Sequence, residues 1–359
     1  MTQGPKVQVN TQATVPVTVI TGFLGSGKTT VLNQLLRAPD LSDTAVIINE
    51  FGEVSLDHLL IEQAIENAVL LKNGCICCTV RGDITDTLAE LFRKRESGEL
   101  PWFSRIAIET TGLAEPAPVV HSILDSGQPC RLDGIVVTVD AVHARDQLAR
   151  QTEAQNQAGL ADRILLTKTD LVSPAQEAKA ERAIRGYNNV APILTVARAG
   201  VKPEDVFGLG PEQADQDSRL ARWLLPVAEE DHHHHRDHHN HHHGIASVVV
   251  RASRPVAAAS LTLWLDSVLS LHGANVLRLK GLVSLEGEQR LLVVQAVHHV
   301  LHPFVWLPEP ARRARGEGGT EIVVIHRGLS ARGLQASFDA AMGHQLLLVS
   351  AITGRKTSL

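Results

Sequence analysis

The segment from Gly22 to Thr29 reads GFLGSGKT and fits the phosphate-binding motif G-x-x-x-x-G-K-[ST] at every fixed position. Glycines let the backbone curl so that successive N–H groups point at phosphate oxygens, and a helix that starts there adds the positive end of its dipole. In such a loop Lys28 reaches the β- and γ-phosphates, and the Thr29 hydroxyl holds Mg²⁺. The residues assigned to phosphate are Gly22, Gly25, Ser26, Gly27, Lys28 and Thr29.

A second motif, Thr167-Lys168-Thr169-Asp170, indicates which base is bound. It follows the apolar run Arg163–Thr167, and ligands of open α/β sheets bind at the carboxyl ends of such strands. An aspartate there accepts hydrogen bonds from N1–H and the exocyclic amine of guanine, while the lysine stem covers the base. The motif is similar to the N/T-K-x-D signature of GTPases, so Thr167, Lys168 and Asp170 favour GTP; the alternative is a solvated loop aspartate.

Two carboxylates are candidates for work at the terminal phosphate. Glu109 ends the apolar run Arg105–Glu109, where a carboxylate beside the phosphate loop holds Mg²⁺, commonly through water. Gly112 then allows the backbone to swing toward the γ-phosphate. Glu50 follows the run Thr44–Asn49 and either ligates a metal or orients water, roles that the sequence does not separate. With Lys28 these are the candidate catalytic residues; the alternative for each carboxylate is an ordinary solvated strand end.

Three of the four cysteines fall within four positions, Cys75, Cys77 and Cys78. Adjacent thiolates repel unless a cation neutralises them, and the start of a following helix lowers their pKa. Soft sulfur ligands select Zn²⁺, Co²⁺ or Cu⁺ over Mg²⁺. Three sulfurs are one short of tetrahedral zinc, which suits metal transfer better than permanent storage. The alternatives are a redox thiol pair and small buried hydrophobic residues.

Apolar runs that alternate with amphipathic segments place these motifs on a doubly wound parallel α/β sheet of the P-loop NTPase type. The predicted strands are Val15–Thr21, Thr44–Asn49, Arg105–Glu109, Gly134–Asp140, Arg163–Thr167 and Ile193–Val196. The predicted helices are Lys28–Arg37, Leu56–Glu66, Asp83–Arg95, Pro116–Leu124, Val142–Arg150 and Pro174–Arg185. The motifs therefore belong to the loops that follow the strands.

Beyond residue 244 the pattern predicts a second, smaller α+β domain. Its predicted strands are Ala246–Ala252, Val276–Lys280, Gly281–Leu285, Arg290–Val297 and Glu321–His326, and its predicted helices are Ala257–Leu271 and Ser330–Ala341. Strand alternation would put His298 and His299 on opposite faces, so we expect these two and His302 to be packing or surface residues. Trp264 and Trp306 are expected to pack. The predicted divisions are an N-terminal tail at 1–13, a GTPase domain at 14–225, a His-rich linker at 226–244 and a C-terminal domain at 245–359.

Nine histidines within residues 232–243 exceed what an ordinary loop carries. Near neutral pH most are uncharged and available to borderline metals. Interruptions by Arg, Asp and Asn, and a position in mid-chain, argue against a purification tag. We interpret the tract as a low-specificity arm that collects metal near the thiolates, with a solvated spacer as the alternative. Its members are His232, His233, His234, His235, His238, His239, His241, His242 and His243.

Composition excludes several functional classes. The 359 residues are 44% hydrophobic and 20% charged, as in globular proteins, and the net charge of −5 offers no basic balance for nucleic acid or anionic membrane. No apolar run approaches the ~18–20 residues of a membrane span. Clustered cysteines without a signal peptide predict a reducing, cytoplasmic compartment.

In this order the motifs resemble the CobW family of SIMIBI-class P-loop GTPases, named for a cobalamin-biosynthesis protein. The segment with Arg278-Leu279-Lys280-Gly281 and with Gln295 is similar to the CobW C-terminal domain, so the resemblance covers nearly the whole chain. Val136–Ala144 and Ala161–Leu171 are similar to a zinc- and cobalt-responsive branch.

The resemblance implies slow GTP hydrolysis coupled to delivery of a transition metal to a metal-requiring client protein. It adds Thr30 to the phosphate site and makes Glu50, Cys77 and Cys78, with Cys75, the metal site. The implied ligands are GTP, Mg²⁺ and Zn²⁺ or Co²⁺, and a homodimer is a candidate assembly. The alternatives are delivery of cobalt for cobalamin synthesis, delivery of iron or nickel to one enzyme, and metal storage or sensing with nucleotide as ligand only.

Overall fold

The computed structural model describes residues 14–49, 69–70, 76–80, 83–196, 200–211, 244–307 and 319–353. The chain divides into two compact units between Gly210 and Pro211. The predicted boundary at residue 225, the predicted helix Leu56–Glu66 and the whole histidine tract lie outside the described residues.

The first unit contains one eight-stranded sheet with the spatial order β3-β4-β2-β5-β1-β6-β7-β8. All neighbouring strands are parallel except β3 and β4. The strands are β1 (Val15–Gly22), β2 (Thr44–Asn49), β3 (Val69–Leu70), β4 (Ile76–Val80), β5 (Arg105–Thr110), β6 (Cys130–Asp140), β7 (Arg163–Thr167) and β8 (Ile193–Val196). The helices are α1 (Lys28–Leu35), α2 (Ile84–Ser97), α3 (Pro116–Asp125), α4 (Ala144–Arg150), α5 (Thr152–Leu160) and α6 (Pro174–Arg185).

Strand β1 lies near the middle of this sheet, and Val17, Val19 and Ile20 are fully buried in it. Near-continuous apolar character is what a strand covered on both faces requires. The register pairs Ile20 with Glu109 of β5, and Gly22 with Thr138 of β6. The carboxyl ends of these strands therefore meet at one edge, where the strand order reverses and where open α/β sheets bind their ligands.

Over residues 244–307 and 319–353, the second unit contains a six-stranded antiparallel sheet and two helices. The strands are β9 (Ile245–Ala252), β10 (Val276–Ser284), β11 (Leu291–Val297), β12 (Val300–Leu301), β13 (Val305–Trp306) and β14 (Thr320–Arg327), and the helices are α7 (Ala258–His272) and α8 (Ala331–Thr353). Trp264 of α7 meets Phe338 of α8 edge to face, with 5.0 Å between ring centroids. The predicted packing role of Trp264 is confirmed, since it is 2% exposed, and Trp306 packs partly buried against the same core.

Several predictions in the second unit were wrong. The segments Val276–Lys280 and Gly281–Leu285 form the single strand β10, because Gly281 makes room for neighbours rather than ending the strand: a Cβ there would lie 2.7 Å from Ile322. Helix α8 continues past the predicted end at Ala341 to Thr353. His298 lies in the turn after β11 with φ +51°, so strand alternation does not apply to it.

Helix ends follow local sequence where capping groups are present. The Ser173 hydroxyl accepts a hydrogen bond from the Gln176 backbone N–H, and Gln176 Oε1 accepts one from the Ser173 backbone N–H. Pro174 opens α6 as predicted. Helix α5 was not predicted. None of the helices among the described residues has the length and apolarity that crossing a bilayer requires.

Candidate functional site

The loop between β1 and α1 adopts the backbone that its glycines predict. Gly22, Gly25 and Gly27 have φ angles of 144°, 68° and 95°, which favour glycine over residues with a Cβ. At Gly22 a Cβ would also lie 2.4 Å from the carbonyl oxygen of Thr138. The Ser26 hydroxyl is 2.7 Å from the hydroxyl of Thr138, which ties the loop to β6. Thr30 follows in the first turn of α1.

Lys28 curls back over this loop. Its Nζ donates to the carbonyl oxygen of Gly22 at 2.9 Å and to that of Phe23 at 3.3 Å, and the residue is 9% exposed. The ammonium group is therefore fixed at the mouth of the loop rather than extended into solvent. A cation held there lies next to the backbone amides that face an anion.

Thr29 in the first turn of α1 and Glu109 near the end of β5 are in contact. The Thr29 hydroxyl donates to Glu109 Oε1 at 2.7 Å, and Glu109 is 5% exposed. Hydroxyl and carboxylate oxygens are the hard ligands that Mg²⁺ prefers, usually alongside water and phosphate oxygens. The donor set of this pair fits Mg²⁺.

The guanine-type motif is joined to the same edge. The Thr167 hydroxyl donates to the carbonyl oxygen of Ser26 at 2.7 Å, so the phosphate loop and the base motif are connected directly. Lys168 has φ 57°, and its Nζ lies 2.6 Å from Asp140 Oδ2. Asp170 is exposed on the short turn that follows. A carboxylate at this position is open to a base.

Asp140 is a site residue that sequence reasoning missed. Its side chain is 2% exposed, and Oδ1 accepts a hydrogen bond from the Val142 backbone at 2.8 Å while Oδ2 faces Lys168. A signal was available, since Asp140 ends an apolar strand at the carboxyl edge as Glu109 does. Gln157 of α5 was also missed.

Gly112 lies against the phosphate loop. A Cβ at this position would be 2.7 Å from the backbone nitrogen of Leu24, so close approach of two loops requires glycine here. The loop that follows β5 and the loop that follows β1 are therefore in direct contact.

The cysteine segment is only partly described. Cys77 and Cys78 lie in strand β4, in register with Val46 and Ile47 of β2, whereas Cys75 and Glu50 lie outside the described residues. Helix α2 begins at Ile84, after the cysteine strand, and the lowering of the thiol pKa by a helix start stays a prediction from the sequence. Within the described ranges, no group of three or more His, Cys, Asp or Glu side chains is arranged to hold a metal.

The fold and these contacts define a P-loop nucleotide-binding protein. The CobW/HypB/UreG nucleotide-binding domain matches residues 16–195, and the C-terminal domain of the cobalamin synthesis protein CobW matches residues 245–342. The chain belongs to the CobW family of GTPases, as its motifs predict.

Named relatives cover most of the chain. It is similar to the zinc chaperone YjiA of Escherichia coli (strain K12), with 34% identity over 291 residues that cover 80% of this chain and 87% of the relative. It is similar to the zinc chaperone CobW of Sinorhizobium, with 30% identity over 348 residues that cover 88% of this chain and 93% of the relative. The crystal structure of Zn(II)-bound YjiA GTPase from E. coli matches with a TM-score of 0.70 and 29% identity, over 92% of this chain and 99% of that one.

Proposed function

We propose that this protein is a GTP-hydrolysing metallochaperone that binds Zn²⁺ at the segment with Cys75, Cys77 and Cys78 and transfers it to client proteins in a GTP-dependent cycle. The observation that carries the proposal is the register of one continuous parallel sheet. Strand β2 pairs on one side with β5, which ends in the Glu109 region, and on the other with the cysteine strand β4. The names of the relatives support zinc as the cargo.

The nucleotide part of the proposal uses the contacts at the carboxyl edge. Lys28 would meet the β- and γ-phosphates, and Thr29 with Glu109 would hold Mg²⁺, which neutralises charge that develops on the phosphates. Asp170 would read guanine, with Thr167 and Lys168 fixing the base motif. Each assignment is supported by a hydrogen bond or an ion pair of that residue, or, for Asp170, by its exposed position on the turn that follows β7.

The metal part rests on ligand chemistry. Thiolate and imidazole ligands bind Zn²⁺ in preference to hard cations, whereas Thr29 and Glu109 offer only hard oxygen ligands. Asn49 pairs with Thr110 of β5 and with Val80 of β4, so Glu50 follows a strand that lies between the Mg²⁺ carboxylate strand and the cysteine strand. Strand β2 therefore lies between the strands of the two candidate sites and is joined to both by backbone hydrogen bonds. This arrangement supports Glu50 as the residue shared by both.

Coupling then follows from linkage. If GTP orders the segment after Asn49 and raises the affinity for Zn²⁺, then Zn²⁺ raises the affinity for GTP by the same factor. Hydrolysis removes the γ-phosphate that holds the switch segments, so the site loosens and the metal passes to the client. A homodimeric assembly, a cytoplasmic location and a collecting role for the histidine tract stay predictions from the sequence.

The test measures Zn²⁺ affinity by competition with a chelator, once with GTPγS and once with GDP. We expect Zn²⁺ to bind more tightly with GTPγS than with GDP. By linkage, Zn²⁺ should raise the affinity for GTPγS relative to GDP by the same factor. Cys77→Ser with Cys78→Ser should remove the effect, whereas the matched control Cys130→Ser, at the start of β6, should retain it. Equal Zn²⁺ affinities with the two nucleotides would overturn the proposed cycle. Titration with Co²⁺ and Ni²⁺ under the same conditions tests the choice of metal.

A further inference from the structure

Three consecutive polar side chains of helix α5 are buried, which is unusual for a helix inside a fold. Gln155, Asn156 and Gln157 are 4%, 9% and 1% exposed. Buried amides cost free energy unless they are hydrogen-bonded, so their partners show why they are there. Gln155 donates to the carbonyl oxygen of Leu148 at 2.9 Å, within neighbouring helices, whereas the other two reach a loop far away in sequence.

That loop is the one that follows β5. Gln157 Nε2 donates to the carbonyl oxygen of Gly112 at 3.2 Å and to that of Ala114 at 3.0 Å, and Asn156 Nδ2 donates to a carboxylate oxygen of Glu115. Because both contacts of the Gln157 nitrogen are carbonyl oxygens, the orientation of the amide is determined. One side chain therefore uses both of its N–H bonds to fix the loop.

The held loop in turn touches the phosphate loop. A Cβ on Gly112 would lie 2.7 Å from the Leu24 backbone nitrogen, so the backbone that Gln157 holds is packed directly on the loop that follows β1. The same loop begins just after Glu109, whose Oε1 accepts the hydrogen bond from Thr29. Loops in this position respond to the γ-phosphate in GTPases.

We infer that Gln157 is a positioning residue for GTP hydrolysis, which fixes the backbone of residues 112–114 where a γ-phosphate is sensed. The inference rests on the nucleotide site proposed above. Gln157 touches neither nucleotide nor metal in this role; it acts through Gly112. Small displacements of a positioned group cost catalysis far more than binding, so the inference concerns the rate of hydrolysis and the preference for a triphosphate.

The variant that tests this is Gln157→Leu. Leucine is one atom shorter and suits a buried position, but it donates nothing to Gly112 and Ala114. It also removes Gln157 Oε1, a buried acceptor with no hydrogen-bond partner among the described residues, so the fold is expected to survive. Gln157→Met, also apolar and of similar length, serves in its place if the first variant does not fold.

The matched control is Gln155→Leu, two positions earlier on the same helix. It removes a hydrogen bond of the same kind, but the Leu148 carbonyl oxygen still accepts one from Tyr187 Oη at 2.7 Å, and the loop after β5 is untouched. Any effect of an apolar residue in the helix core should appear equally in both variants. A positioning effect should appear only at Gln157.

We expect Gln157→Leu to lower kcat for GTP by roughly 10- to 100-fold, with KM changed by less than about threefold. Affinity for GTPγS should fall by no more than about threefold relative to affinity for GDP, which lacks the sensed phosphate, in line with the small change in KM. In the Gln155→Leu control, kcat, KM and the ratio of GTPγS to GDP affinity should each stay within about twofold of wild type. A kcat within about twofold of wild type at Gln157, or an equal loss in the control, would overturn the inference alone. A wild-type chain without GTP turnover would overturn the nucleotide cycle as well.

Discussion

Lys168 Nζ lies 2.6 Å from Asp140 Oδ2, which joins the base motif after β7 to the carboxyl end of β6. The Asp140 side chain is almost fully buried, while that of Lys168 is 36% exposed. The backbone of Val142 holds the other carboxylate oxygen. The carboxylate is therefore fixed from two sides and in turn fixes the Lys168 side chain, whose stem would cover the base in the proposed function.

We predict that Asp140→Asn weakens GTP binding by about tenfold with kcat nearly unchanged, since a charged partner of a partly exposed lysine is lost. The measurement is a double-mutant cycle with Lys168→Met, which keeps the stem and removes the ammonium group. In the Lys168→Met background the Asp140 change should have little further effect. Asp146→Asn, an exposed carboxylate on α4, is the control. Independent, additive losses would show that Asp140 acts on something other than Lys168.

Local signals explain which parts of the fold the sequence predicted. The strands Thr44–Asn49, Arg163–Thr167 and Ile193–Val196 have the predicted bounds, because strands of a parallel sheet are nearly continuous apolar runs. Helix α6 starts at Pro174 as predicted, since the Ser173 cap is local. The edge where Gly22, Glu109 and Thr167 lie at the carboxyl ends of their strands was predictable for the same reason.

Long-range contacts explain what was missed. Gln157 is one of several polar residues in helix α5, so the helix lacks a clear apolar pattern. Its two hydrogen-bond acceptors lie 45 and 43 positions earlier in the chain, beyond the reach of any local pattern. From the sequence alone, Gly281 is typical of a strand end. Its actual role depends on Ile322 and Val294, which pack so closely that a Cβ would not fit. The run that contains Cys77 and Cys78 is too short for its residue pattern to distinguish a strand from a loop. In each case a tertiary neighbour, rather than a propensity, decides the structure.

Deleting residues 232–243 tests the predicted collecting role of the histidine tract. If the tract gathers metal, the number of Zn²⁺ ions bound per chain should fall, because the neutral imidazoles are lost, while GTP turnover stays within about twofold. Metal content after equilibrium dialysis is the measurement. A matched control replaces the nine histidines by asparagine and keeps the length of the segment. Unchanged stoichiometry in both variants would identify the tract as a spacer.

Gly112→Ala should disturb two loops at once. The added Cβ would meet the Leu24 backbone, which cannot rotate away as a side chain does, so we expect a loss of about 1–3 kcal/mol in the free energy of unfolding and weaker GTPγS binding. Chemical denaturation and nucleotide titration measure the two effects. Gly343→Ala is the control, because a Cβ there meets nothing within 4 Å in helix α8, and alanine should be neutral or stabilising. Equal behaviour of the two variants would contradict close packing at Gly112.

His326 predicts the pH dependence of the second unit. It is 2% exposed, its Nδ1 accepts a hydrogen bond from the Leu329 backbone at 3.3 Å, and burial lowers its pKa from the ordinary value of 6.5. Above that value the imidazole is neutral in both the folded and the unfolded chain, so His326 does not lower the free energy of unfolding. As the pH falls below 6.5, the imidazole is protonated in the unfolded chain but stays neutral in the folded one. The free energy of unfolding therefore declines until the pH reaches the lowered pKa of the folded state.

Hydrogen exchange of the β14 amides, corrected for intrinsic rates, should therefore show a smaller opening free energy at about pH 5.5 than at about pH 7.5. His326→Gln cannot take up the proton and should lose less stability over the same interval. His272→Gln is a suitable control, because it makes the same change at an exposed residue at the end of α7. A pH dependence that persists in full in His326→Gln would assign it to another group.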